Sequence, residues 1–211
     1  MPASPSPKTS STNFANMKVI VSDADEVLPA LRSGQLDLVI QYLYPQAAPT
    51  GLLYIPLYED ETVPCCARNH RLAARDHVAL GELSKERWAF QGSVVLGPYQ
   101  RLHEVFRNNG LEPPRIAFES RSLSLRLQVA ANSDLLMYTS RAVVARRLGA
   151  GTFHVLPVKE LHWRQSVGVV HRKEPYMSPA VRRFIEILKR VAASAPAAAP
   201  PVRLRKVNAS L

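Results

Sequence analysis

Apolar residues recur along this chain at two spacings, and the switch between them marks the elements. Lys18 to Val21 is a β-branched run and reads as a strand. Ser22 and Asp23 can cap a helix, and Glu26, three residues after Asp23, completes a capping-box pattern. Val27, Leu28 and Leu31 then fall at helical spacing, with Pro29 placed near the first turn, where a missing N–H costs least. Gly34 suits the left-handed position that ends a helix. Leu36 to Ile40 is nearly continuous and apolar, as expected of a parallel strand buried on both faces; Asp37 interrupts it and needs a partner or a turn position. Strand, crossover helix and parallel strand make a right-handed unit. Ligands in such sheets bind beyond the carboxyl ends of the strands, which here is Gln41-Tyr42-Leu43-Tyr44.

The same alternation continues. After a loop through Pro45, Pro49 and Gly51, Leu52 to Leu57 and Thr62 to Arg68 read as two short strands. His70 to Ala74 is turn-like, Val78 to Leu83 a short helix or turn, and Trp88 to Gln91 a strand. Gly92 to Pro98 is a loop. Tyr99 to Asn109 carries an apolar helical stripe through Leu102, Val105 and Phe106, ended by Gly110. Arg115 to Glu119 is a strand. Ser122 caps a helix whose core-facing residues are Leu125, Val129 and Leu127. Leu135 to Tyr138, Phe153 to Leu156 and Gln165 to His171 are strands, with a basic helix from Ser140 to Leu148 among them. Ser178 and Pro179 start a last helix with the stripe Val181, Phe184, Ile185 and Leu188. Such alternation predicts a mostly parallel sheet with helices on both faces. Residues 1–16 and 194–211 lack periodicity and read as disordered tails, the second one basic.

Composition changes this picture little. With 46% hydrophobic and 21% charged residues, the 211-residue chain is an ordinary globular sequence. No apolar run is long enough to span a membrane, and no export signal pattern opens the chain, so a cytoplasmic protein is expected. The net charge of +10 suggests nucleic acid, yet Lys8, Arg203, Arg205 and Lys206 put part of it in the tails. No basic block is interleaved with aromatics. Cys65 and Cys66 are adjacent, so they point to opposite faces of a strand and read as buried thiols. The 6 histidines are scattered without ligand spacing, so no metal is expected, and no cofactor motif is present. Gly92 to Gly97 lacks the Lys-Ser/Thr of a phosphate loop, and there is no G-x-S-x-G elbow. Catalytic residues are therefore not expected, and the chain is read as no enzyme.

Several stretches, in order, resemble the effector-binding domain of LysR-type transcriptional regulators. Leu31 to Ile40 matches an L-x-x-G-x-L-D-L-x-I segment; Pro56 to Glu61 resembles the next strand pair. His70-Arg71-Leu72-Ala73 resembles H-P-L-A, with Arg71 where proline is usual, and Ser122 to Thr139 resembles a helix-then-strand block. The likeness covers roughly residues 18–193. It implies an α/β fold of two Rossmann-like subdomains with a cleft between them, of the type 2 periplasmic-binding-protein kind. Subdomain I would be residues 17–68 plus 164–193, and subdomain II residues 69–163.

The implied function is sensing of a small-molecule effector in that cleft, to modulate transcription. An organic acid, an aromatic acid or a sugar is the class expected. The rival of a different kind is a solute-binding protein of a transport system with the same fold. The resemblance lacks the family's helix-turn-helix and its first strand and helix. Hence this chain alone is expected not to bind DNA specifically, and its homo-oligomer is expected to be weakened. Strand ends and helix N-termini, where free N–H groups favour anions, nominate effector-binding residues: Tyr42, Leu43, Gly92, Ser93, Ser122, Tyr138 and Thr139. Micromolar affinity needs about 8 kcal/mol. A charge-assisted hydrogen bond supplies about 1.5–3 kcal/mol. With a donor helix absent, binding near millimolar is expected.

Overall fold

The computed structural model describes residues 17–22, 24–42, 50–91, 97–146, 151–174 and 176–194. The expected strand at Lys18 is not formed. Residues 17–22 have no regular structure, and Val19 and Val21 are 73% and 95% exposed. β-Branched residues favour a strand only where a neighbour supplies pairing and burial. The helix that follows, α1 (Ala24–Arg32), forms as expected and buries Val27 and Leu31. Pro29 lies inside it rather than in its first turn. Gly34 takes φ +81, the left-handed value inferred for it. Arg172 closes this end, donating from Nη1 to the carbonyls of Leu31 (2.7 Å) and Leu36 (2.6 Å).

Strand β1 (Leu38–Tyr42) is half-buried, with Ile40 47% exposed, so it is not covered on both faces. Asp37 sits exposed at the bend before it. The two expected strands at 52–68 are one long strand, β2 (Leu52–Ala67), with a register shift between Pro56 and Tyr58. A bulge bends a strand without ending it, which is why the polar run Tyr58 to Glu61 does not make a turn. Then come α2 (Leu80–Leu83), β3 (Arg87–Phe90), α3 (Pro98–Asn108), β4 (Arg115–Glu119) and α4 (Leu123–Ala131). The chain ends its described part with β5 (Leu136–Ser140), α5 (Arg141–Arg146), β6 (Phe153–Val155), β7 (Trp163–Arg172) and α6 (Pro179–Ser194). The expected tails lie outside the described residues, except that α6 runs through Ser194.

The sheet order is β1-β7-β2-β5-β3-β4, with β6 also paired to β2. Among the described strands only β3–β4 and β3–β5 are parallel; β1–β7, β2–β7, β2–β5 and β2–β6 are antiparallel. A mostly parallel sheet is thus corrected to a mixed one. Helix crossovers impose parallel pairing only on the strands they join, and the long strands β2 and β7 run antiparallel beside each other without one.

The core is layered on this sheet. On one face of β3 and β5, Trp88, Phe90, Leu136 and Tyr138 pack with Leu102, Val105 and Phe106 of α3, all buried as the stripe required. On the other, Ala89 and Met137 pack with Leu127 and Ala130 of α4. Leu123, Leu127 and Ala130 set the inner stripe of α4, which turns Leu125 outward, 44% exposed, against expectation. Cys65 joins the second cluster and Cys66 the first, so the adjacent thiols do face opposite ways. Burial pushes both thiols up, Cys66 to about 12. On α6 only Ile185 is fully buried; Val181, Phe184 and Leu188 are half-buried.

Candidate functional site

Strands β2 and β7 carry an unusual concentration of polar side chains where they pass between β1 and β5. Asp60 is opposite Gln165, Thr62 is opposite Trp163 and Ser140, and Pro64 is opposite Tyr138. Opposed residues of antiparallel strands share a face, and residues two apart along a strand do too. Asp60, Thr62, Ser140, Tyr138 and Gln165 therefore lie on one face. Tyr42 joins them through β7: it is opposite Val167, two residues from Gln165.

The Tyr42 phenol donates to Asp60 Oδ2 at 3.0 Å, and the Glu61 backbone N–H donates to Asp60 Oδ1 at 2.8 Å. Asp60 is itself buried, so these donors offset its lost hydration. Burial, and then the Asp60 charge, raise the Tyr42 phenol well above its ordinary range, so it stays a donor. The Thr62 hydroxyl is buried and has no hydrogen-bond partner among the described residues. Burial likewise raises Tyr138, with Arg101 acting in the opposite sense. Arg101 lies in the first turn of α3, the helix whose Leu102, Val105 and Phe106 pack in one cluster with Tyr138.

One side chain away is a buried ionic cluster. Arg141 Nε donates to Glu61 Oε2 at 2.5 Å, with their side chains 8% and 11% exposed. His162 Nε2 donates to the Leu156 carbonyl at 3.2 Å. That leaves its Nδ1 facing Arg141 Nη2 (3.5 Å) and Glu61 Oε1 (3.4 Å). This cluster ties β2, the start of α5 and the segment leading into β7 at one point.

The seven nominated residues divide clearly. Tyr42 and Tyr138 stand on the shared face, at its two ends. Thr139 is opposite Val63, so it points away from Tyr138 through the sheet. Ser122 accepts the Leu125 N–H at 3.3 Å as the cap of α4, at the end of the sheet where β3, β4 and β5 finish. From this end Arg121 reaches across to Glu26 of α1 at 3.3 Å. Leu43, Gly92 and Ser93 lie outside the described residues. Asp60, Gln165, Arg101 and Glu61 were not nominated. Their signal in the sequence is a polar residue inside a strand or at a helix start, which a turn explains equally well until pairing is known.

A cavity of about 360 Å³ opens elsewhere, lined by Asn69, His70, Arg71, Glu86, Ser133 and Asp134. Its ionic groups are paired: Arg71 with Glu86, and Asp134 with Arg87 at 2.7 Å. The His70 ring accepts the Leu72 N–H at 3.2 Å. Among the described residues, no group of histidines, cysteines and acids is arranged to hold a metal ion, and no helix is long and apolar enough to cross a membrane.

Comparisons with known proteins now give this geometry a context. The chain is 26% identical over 179 residues to the HTH-type transcriptional regulator GalR of Pseudomonas putida, covering 83% of this chain and 44% of that protein. It is 24% identical over 174 residues to the regulator GbpR of Azospirillum brasilense, covering 81% and 50%. The chain thus spans about half the length of the curated relatives it matches. Among solved structures, the CcmR regulatory domain of Synechocystis PCC6803 in complex with 2-PG superposes with a TM-score of 0.69 at 18% identity, covering 81% of this chain and 80% of that one. The effector-binding domain of QuiR in complex with shikimate does so with a TM-score of 0.64 at 19% identity, covering 82% and 79%. These neighbours have the type 2 periplasmic-binding-protein-like fold. The model of the LysR substrate binding domain matches residues 13–193, and the chain belongs to that family.

Proposed function

We propose that the chain is the effector-sensing part of a LysR-type transcriptional regulator, and that a small metabolite binds on the polar face shared by Tyr42, Asp60, Gln165 and Tyr138. The observation that carries this reading is a sheet face with buried polar groups, set where β2 and β7 pass from the β1–α1–α6 end to the β3–β4–β5 end. In this proposal the cleft lies between the two ends. We divide it as residues 17–68 plus 164–193 and residues 69–163. The exposed Arg121–Glu26 pair reaches from one to the other. An exposed pair contributes only about 0–1 kcal/mol, so it biases closure without locking it. A ligand shifts the open and closed populations by its differential affinity for them and no more.

Organic acids, aromatic acids and sugars are the ligand classes we infer. Solved neighbours of this fold hold 2-PG and shikimate, which supports the first. The curated relatives are named transcriptional regulators, which favours sensing over solute transport. Tyr42, Tyr138 and the N-terminus of α4 at Ser122 are the contacts we assign among the described nominees.

The test is a thermal-shift screen of purified protein against metabolites of these classes, repeated with Asp60→Asn and Tyr42→Phe. The expected result is at least one stabilising compound whose shift shrinks in both variants. Stabilising compounds indifferent to both substitutions would overturn the assignment of this face.

A further inference from the structure

Helix α6 has two unlike faces. The inner one is used by the fold: Ile185 is buried, and Val181, Phe184, Ile187 and Leu188 are half-buried. The outer one carries Arg182, Arg183, Glu186, Lys189 and Arg190, all exposed. At 3.6 residues per turn these five fall within roughly a third of the helix circumference. Arg183 pairs with Glu186 at 3.2 Å, an exposed pair that another anion can replace. Arg182, Lys189 and Arg190 have no acidic partner among the described residues. The chain's charge is also concentrated here. Residues 179–211 contain seven Lys or Arg and one acidic residue, so six of the ten net positive charges lie in that stretch.

The cations are spaced in rows. Arg182 and Lys189 form one, Arg183 and Arg190 another, each pair about 10.5 Å apart along the helix axis. Phosphates of a duplex rise about 3.4 Å per step on each strand, so three steps match that interval. Other partners fit this face poorly. A protein interface is centred on aromatic and apolar anchors, and none stands among these outer positions. Single-stranded nucleic acid calls for aromatic side chains on which bases stack, and the outer positions offer none. A helix enters a membrane surface by its apolar side, and that side of α6 is packed on β2.

We propose that the outer face of α6 binds the phosphate backbone of duplex DNA without sequence preference. Cations in such rows meet phosphates and no base edge, so they position the molecule and read nothing. The choice of DNA rests on the reading of the chain as part of a transcriptional regulator. The surface itself shares no residue with the metabolite-binding face.

The test is fluorescence anisotropy of the full chain with a labelled duplex of arbitrary sequence, between about 50 and 200 mM salt. Each phosphate contact adds about 0.9 to the slope of log affinity against log salt, so four contacts predict a fall of roughly a hundredfold over that range. The triple variant Arg182→Gln, Lys189→Gln, Arg190→Gln is expected to lower the slope by about three and to weaken binding at least about tenfold at the low-salt end. The triple variant Lys85→Gln, Arg107→Gln, Arg115→Gln removes the same charge from exposed positions elsewhere. It is expected to bind within about threefold of the parent, because salt confines each charge to its own neighbourhood. Circular dichroism checks that both variants fold. No binding at low salt, equal loss in the two variants, preference for one duplex sequence over another, or equal affinity for single-stranded DNA or poly-glutamate would each overturn the proposal. None of these outcomes touches the metabolite-binding face, which its own thermal-shift screen decides.

Discussion

Replacing Arg141 by Met should destabilise the protein more than any surface ion-pair mutation. Glu61 and Arg141 are buried together, and the Arg141 guanidinium is the charge facing the Glu61 carboxylate at 2.5 Å. Methionine fills much of the same volume without a charge. It leaves Glu61 with His162 at 3.4 Å, a partner only when protonated. Breaking one side of a buried pair costs about 3–5 kcal/mol, because the remaining charge stays desolvated. That is a large part of the roughly 5–15 kcal/mol that holds a domain together. With a urea slope of about 1–3 kcal/mol per molar, the unfolding midpoint should fall by roughly 1–5 M. The double variant Arg141→Met with Glu61→Gln should recover much of the loss, since no buried charge is then left alone. Equilibrium urea unfolding followed by circular dichroism measures both. A loss under about 1 kcal/mol in the single variant is what an exposed pair would give, and it would refute the buried cluster.

Arg172→Met removes the donor to the carbonyls of Leu31 and Leu36, so α1 should fray and stability fall by about 1.5–3 kcal/mol; amide exchange accelerating throughout the molecule rather than around α1 would contradict a local cap. Burial, and secondarily the neighbours Arg71, Arg107 and Arg68, lower His70, His103 and His154 respectively below the ordinary histidine value of 6.5. The unfolded chain then binds more protons than the folded one as pH falls through that range. The histidine contribution should be level between about pH 7 and 8 and decline from about 6.5 downward; a urea midpoint unchanged or rising between pH 7 and 5.5 would refute the sign. Tyr138→Phe deletes a buried hydroxyl that has no partner among the described residues, so the ligand-free protein should be unchanged or stabilised by up to about 1 kcal/mol, where a bonded hydroxyl would have cost that much; the same urea titration distinguishes the two.

Local patterning made many of the elements legible. The stripe Leu102, Val105 and Phe106 is buried as its spacing required, and Gly34 adopts the left-handed turn. Strand β4 has the bounds its residues suggested. Pairing was not legible, because it is non-local. The β-branched run at Lys18 looks like a strand, yet it has no partner among the described residues. Leu52 to Leu57 and Thr62 to Arg68 look like two short strands, and Leu52 to Ala67 is one bulged strand. That strand is what brings Asp60 to Gln165, more than a hundred positions away in the sequence. Tyr42 and Tyr138 could be nominated from strand ends alone. Asp60, Gln165 and Arg101 could not, because a buried polar residue is recognisable only once its cover is known.

The most direct test of the effector-binding face is two-dimensional NMR of the labelled protein titrated with the compound that stabilises it most. The expected shifts cluster at Tyr42, Asp60, Arg101, Tyr138 and Gln165, with smaller ones along β2 and β7. Shifts confined to the cavity around His70, Glu86 and Asp134, with the shared face unchanged, would contradict the assignment.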